Sequence, residues 1–229
     1  SAIAFGIPLQ FEETYTEGIS GISPADIGFA EELGYRIKHL GIARKTARGV
    51  EMRVHPTLVS STSLLANVNG VGNAVMVQGN FVGSTLYSGP GAGAEATASA
   101  VVADLIDLAR DRLAGVKSPV RPALGSTQTG SSLDVLPIEQ IEVGYYLKIP
   151  VLDKLGVMAK LSAVLQQRGI SIEAIIQKES ENSETVPVVI LTQVVREQEL
   201  NAALDALAEL DEVTGPVTRI RIEPFDGEA

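Results

Sequence analysis

Gly144-Tyr-Tyr-Leu-Lys-Ile-Pro-Val151 begins a run of regularly alternating strand and helix patterns. It has the length and the β-branched and aromatic content of a strand, and a helical pattern over Gly156 to Arg168, stopped by Gly169, follows it. Ser171 to Lys178 reads as a second strand, Glu179 to Thr185 as an acidic turn and Val186 to Val195 as a third strand. Leu200, Ala203, Leu204 and Leu207 then fall at i, i+3, i+4 and i+7, the spacing of a helix laid on a sheet, before a last strand over Val217 to Glu223.

The order βαββαβ is that of a ferredoxin-like unit. Such a unit carries both helices on one face of a four-stranded sheet, so it leaves the other face and an edge to be covered by a partner. Upstream, residues 117–141 contain Pro119, Pro122 and Pro137 and a Gly/Ser/Thr cluster with no apolar periodicity, which reads as a linker. The chain therefore divides into 1–116, the linker 117–141, and 142–226.

In the first part, Tyr35 to Ala43 and Val50 to His55 alternate apolar and polar residues around the turn Arg44 to Gly49, a hairpin. Asn73 to Gly79 and Val82 to Ser88 form a second pair. A helix is expected from Pro24 to Leu33 after the cap-like Ser23, and a long amphipathic helix from Thr97 to Leu113. The fold class is α+β: a mixed or antiparallel sheet with helices on one face, followed by the βαββαβ unit.

The 229 residues carry 18 Lys+Arg against 28 Asp+Glu, a formal charge of −10, with no cysteine. No clustered basic face exists for nucleic acid, and no apolar run is long enough to span a bilayer. The absence of cysteine excludes disulfides and thiolate chemistry and fits a cytoplasmic location. His39 and His55 have no second ligand at metal spacing, so no metal site is expected and both read as packed or surface histidines. Glu12, Glu13 and Glu17 read as a solvated acidic face.

Gly91, Gly93 and Ala96 satisfy G-x-G-x-x-A between a strand and a helix, but no parallel strand returns, so a complete dinucleotide-binding unit is rejected. Two readings of this turn remain: a backbone that lets a ligand approach an exposed helix start, or a tight turn of small residues. Asp153 to Val157 carries a similar pair of readings. Its turn either holds a carboxylate at the start of a helix, or Asp153 caps that helix and Gly156 permits the turn.

Gly49 to Val59, Leu65 to Val75, Gly89-Pro-Gly-Ala-Gly93 and Thr97 to Leu105, together with Tyr15-Thr-Glu-Gly-Ile19 and Leu33 to Ala43, resemble the C-terminal part of the homoserine dehydrogenase substrate domain. Gly144 to Glu223 resembles an ACT domain, a regulatory module. The resemblance implies an oxidoreductase that interconverts L-homoserine and L-aspartate 4-semialdehyde with NADP or NAD, on the route to threonine, methionine and isoleucine. It implies that the Rossmann domain and the catalytic lysine precede Ser1. No catalytic residue is then expected in this chain, which by itself would be an inactive fragment.

The resemblance further implies that Gly93 contacts the cofactor while Gly89 and Gly91 shape its loop. It implies a homo-oligomer, dimer or tetramer, formed through the substrate-domain sheet and the ACT domain. An amino-acid effector, with threonine the natural one, would bind Asp153, Gly156 and Val157 together with Ile170, Ser171 and Ile172. Ser171 stands where many ACT domains have Asn. The alternative is a non-catalytic amino-acid-binding or assembly module.

Overall fold

The computed structural model describes residues 2–8, 10–116, 133–177 and 184–224. The chain forms two compact units, Gln10–Ser61 with Leu133–Glu228 and Ser1–Leu9 with Thr62–Ser132. These are not the sequence segments 1–116 and 142–226. The reason lies in how the strands pair.

The larger unit contains β1 (Tyr15–Thr16), α2 (Pro24–Glu32), β2 (Tyr35–Lys45) and β3 (Val50–Ser60). It continues with β6 (Glu142–Leu152), α4 (Val157–Gln167), β7 (Ile172–Gln177), β8 (Thr185–Thr192), β9 (Val195–Arg196), α5 (Glu197–Ala208) and β10 (Thr218–Ile222). The strands β10-β6-β8-β7 are antiparallel neighbours, the ferredoxin-like order. The sheet does not stop at β10. That strand pairs in parallel with β3, Arg221 opposite Thr57 and Ile222 opposite Leu58, and β1 pairs in parallel with the same side of β3. β2 runs antiparallel along the other side of β3, giving one mixed eight-stranded sheet.

Alternation explains the two cores. Tyr145, Leu147, Ile149 and Val151 of β6 point to one face, where Leu161 and Leu165 of α4 and Leu200, Ala203 and Leu207 of α5 cover them. Tyr146 points to the other face, with Val189, Leu191, Ile220 and Leu58, and there Phe29 and Ala30 of α2 close the layer. The face expected to need a partner is thus covered by α2 of the same chain, and the β10 edge by β3.

The start of α2 is built by a reciprocal capping box: the Ser23 hydroxyl accepts the Asp26 N–H, and the Asp26 carboxylate accepts the Ser23 N–H. Lys148 of β6 donates to the same carboxylate at 2.9 Å, and the Tyr146 hydroxyl donates at 3.0 Å. Helix cap and central strand are therefore one polar joint inside an apolar layer.

Two boundaries differ from expectation. The third strand breaks after Thr192, whose hydroxyl oxygen takes the Tyr145 N–H in place of a ladder carbonyl, and β9 resumes against β6. The 117–132 part of the expected linker lies outside the described residues. Its end is not a free tether: Val50 N–H donates to Asp134 O and Leu136 N–H to Val50 O. A Cβ on Gly49 would stand 2.5 Å from Asp134 O, so glycine is needed for that approach.

The smaller unit contains α1 (Ala2–Phe5), the antiparallel hairpin β4 (Gly72–Gly79) and β5 (Gly83–Pro90), and α3 (Ala94–Leu113). α3 has no buried residue, and Val101, Leu105 and Leu108 stand about half exposed. Val75, Val77 and Tyr87 on the hairpin are exposed too. No helix among the described residues is long and apolar enough to cross a membrane.

Candidate functional site

The glycine-rich turn joins β5 to α3, and its three glycines have different surroundings. Gly89 lies inside β5, opposite Asn73. Gly91 donates its N–H to Val71 O at 2.8 Å, and a Cβ built on it would overlap Asn73 Nδ2. This glycine makes the turn. Gly93 is the N-cap of α3 at φ +116, a conformation that L side chains rarely adopt, and a Cβ there would meet open space. Gly89 and Gly93 both have open space where a Cβ would stand, and of the two it is Gly93 that lies at the start of a 20-residue helix.

The second candidate site is spread over both ends of the βαββαβ unit. Asp153 does not cap α4: the N-cap is Gly156, at φ +85, with no side-chain cap, while the Asp153 N–H donates to Glu184 O at 3.0 Å. The side chains of Val157 and Ile170 are buried in the core, so only their backbones can face a ligand. Ser171 is exposed and Ile172 half-buried. α4 spans 11 residues, about 16 Å, between the Asp153 turn and Ile170. One chain therefore does not bring the two groups together.

The strand register fixes which end of β7 the Asp153 turn stands at. Leu152 pairs with Thr185 and Ile172 with Thr192, so the Asp153 turn lies at the Gln177 end of β7. β7 ends the sheet path, and no strand covers its outer side among the described residues. A two-fold pair of β7 edges runs antiparallel, which sets Ile172 of one copy at the Asp153 end of the other.

A third polar constellation, absent from the sequence expectations, is buried where β3 meets β10. Arg53 donates to Glu51 Oε2 at 3.0 Å and to Glu223 Oε2 at 2.9 Å, and its third nitrogen lies 3.1 Å from His55 Nε2. Arg221 grips Glu197 with two bonds of 2.5 and 2.8 Å and Glu17 with a third of 2.8 Å, and lies over the Tyr15 ring. The Tyr145 hydroxyl donates to Glu197 at 3.1 Å.

Burial, with the nearby arginines, pushes His55 down to about 4. The ring is thus neutral near neutral pH. Nδ1 lies 2.9 Å from Pro56 O, which fits an Nδ1–H donor there and leaves Nε2 to accept from Arg53. Burial alone would raise Glu17, but its bonds with Arg221 and Tyr15 hold it below the usual carboxylate range. The expected acidic face at 12–17 therefore divides: Glu12 and Glu13 are exposed, while Glu17 belongs to the ion network. His39 is on the surface, with Nε2 3.0 Å from Glu17 O. No group of three His, Asp or Glu among the described residues could hold a metal.

The only sequence signal for this network was a pair of polar alternations: Glu51, Arg53, His55 and Thr57 on one strand, Arg219, Arg221 and Glu223 on another. Among the described residues, the buried side-chain nitrogen and oxygen atoms all have hydrogen-bond partners, which makes the centre of the network a rigid joint.

Two known families match separate segments of the chain. The profile of the homoserine dehydrogenase family matches residues 1–106, and that of the ACT domain matches 145–212. The Pseudomonas aeruginosa homoserine dehydrogenase is 53% identical over 227 residues, covering 99% of this chain and 52% of that protein. Over nearly its whole length the chain is similar to homoserine dehydrogenases, with the family match on its first 106 residues and an ACT-domain match behind it. The Neisseria gonorrhoeae member is 48% identical and is covered over 51% of its length. The crystal structure of a homoserine dehydrogenase from Thiobacillus denitrificans superposes with a TM-score of 0.85 at 48% identity, over 97% of this chain and 50% of that one. The chain spans about half the length of the curated family members it matches.

Proposed function

We propose that this chain supplies the substrate-domain and regulatory portion of an enzyme interconverting L-homoserine and L-aspartate 4-semialdehyde with NADP or NAD, working in the cytoplasm as a homo-oligomer. The observation that carries this reading is the family match on both segments, with 53% identity to a homoserine dehydrogenase across nearly the whole chain. The open backbone at Gly93 supports it, since a dinucleotide needs a close approach of this kind. When bound, the nicotinamide supplies or accepts the hydride. Gly93 would orient it through the backbone, and Gly91 holds the turn through its N–H bond to Val71 O. No residue of this chain is assigned to proton transfer. The chain alone is expected to give no change in nicotinamide absorbance with homoserine and NADP or NAD. Turnover by the purified chain would overturn the assignment of the chemistry to other residues of the family's longer proteins.

The regulatory part of the proposal is an amino-acid site shared by two copies, formed by Asp153, Gly156 and Val157 of one with Ile170, Ser171 and Ile172 of the other. Its support is the separation of these groups within one chain and the open β7 edge that would reunite them. Threonine is the proposed effector. Calorimetric titration with threonine, with mass by light scattering, is expected to give saturable heat and a dimer or larger. Saturable heat from a strictly monomeric chain would exclude the shared site.

A further inference from the structure

Loop, helix and strand of the larger unit enclose a cleft of about 460 Å³ that none of these assignments uses. One wall is the loop between β1 and α2, with Glu17, Gly21 and Ile22; the other is Leu204 of α5 with Val217 and Arg219 at the start of β10. Its size falls in the range of small-molecule sites, roughly 300–1,000 Å³.

The apolar part of the lining is Ile22, Leu204, Pro216 and Val217, and its polar side chains are Thr218 and one pair of opposite charges, Glu17 and Arg219. Arg219 Nη2 lies 3.8 Å from Glu17 Oε2, an ion-pair distance too long for a hydrogen bond. Arg219 is placed by bonds to its other terminal nitrogen, whereas Glu17 is placed through Oε2 itself, and among the described residues its Oε1 takes no hydrogen bond. Arg219 is anchored through Nη1, to Asn201 at 2.7 Å and Glu197 at 3.3 Å. Glu17 is anchored through Oε2, by Arg221 and Tyr15 at 2.8 and 2.7 Å. A guanidinium edge and a carboxylate edge are thus fixed beside each other on a partly exposed wall. Both side chains remain accessible, at 21% and 29%.

We infer that this cleft binds a free α-amino acid with a small aliphatic side chain. Its carboxylate would lie on Arg219, its ammonium on Glu17, and its side chain against Ile22, Leu204 and Val217. The charge balance selects this class. Arg219 and Arg221 are matched by Glu17 and Glu197, so a zwitterion adds no net charge, whereas a phosphate or dicarboxylate would face two carboxylates with one accessible guanidinium. Glu17 is held ionised by Arg221, which keeps the ammonium partner charged near neutral pH. The inference goes beyond the proposed regulatory site, uses none of its residues, and requires no second copy.

The test is calorimetric titration of the whole chain with L-valine and L-isoleucine, and with N-acetyl-L-valine, which keeps the carboxylate and lacks the ammonium. Gly21→Leu fills the cleft without strain, since Gly21 has ordinary φ and open space where a Cβ would go. Arg219→Lys keeps the charge and loses the planar fork. Saturable heat with valine or isoleucine is expected, weakened at least about tenfold by each variant and by acetylation. Asp153→Ala should leave it unchanged. No saturable binding, or equal binding of the acetylated ligand, would overturn the inference. Heat lost in Asp153→Ala but kept in Gly21→Leu would assign the binding to the β7-edge site, sinking the cleft and leaving the regulatory proposal standing.

Discussion

Replacing Glu197 by alanine is expected to lower the unfolding free energy by about 3–5 kcal/mol, the usual result of breaking a buried ion pair from one side. Glu197 and Arg221 are 2% and 1% exposed. Without the carboxylate, Arg221 keeps only Glu17, and the Tyr145 hydroxyl loses its acceptor. Glu197 is also the first residue of α5, where a negative charge favours the helix dipole. Urea unfolding should show a lower midpoint with an unchanged slope. Replacing both partners with apolar residues of similar size, Glu197→Leu with Arg221→Met, should recover part of the loss, because neither member of the pair is then buried alone, while Glu17 loses its Arg221 bond and the Tyr145 hydroxyl still lacks an acceptor. A single-variant loss below about 1 kcal/mol would place the pair among replaceable surface bridges.

The importance of this joint was hard to see from the sequence because a polar alternation has two meanings. Glu51, Arg53 and His55 are the polar members of an alternating hairpin strand, a pattern that by itself fits a solvent side, yet they and Thr57 are buried. What buries charge is a matching alternation about 160 residues away, and no local pattern sets the register that puts Arg221 opposite Thr57. Asp26 and Lys148 pose the same difficulty. Neither stands out in the sequence, and only packing of α2 on β6 makes them a pair.

Where the information is local, the reading was good. Period-3.6 and strand-like patterns placed α4, α5 and the four strands of the βαββαβ unit within a few residues, and Ser23-Pro24 marked the start of α2. The division into compact units was not legible. Composition marks the Pro/Gly/Ser stretch, whereas the units follow strand pairing, which carries Gln10–Ser61 into the ACT-containing sheet. In the glycine-rich turn the motif gave the residues. The different surroundings of Gly91 and Gly93 depend on where Asn73 sits, which the motif does not contain.

Acidification through the window between about pH 6.5 and about pH 4 is expected to remove about 3 kcal/mol of stability through His55 alone. In the unfolded chain this histidine takes a proton near 6.5, and in the folded chain only near 4, because burial and two arginines oppose the charge. Between those values the unfolded state binds more protons, so stability rises with pH across the window and is flat above it. His55→Gln, which keeps an acceptor for Arg53, should remove this slope while leaving the fall at lower pH. That second fall belongs to Glu17 and Asp26, whose folded values are depressed by Arg221 and by Lys148 with Ser23. Their contribution is present above the ordinary carboxylate range and disappears as pH drops through their folded values. Unfolding free energies measured by urea across the window separate the two. A wild-type profile flat down to pH 5 would mean that His55 is protonated inside the fold, and Arg53 would then need a different partner from the imidazole.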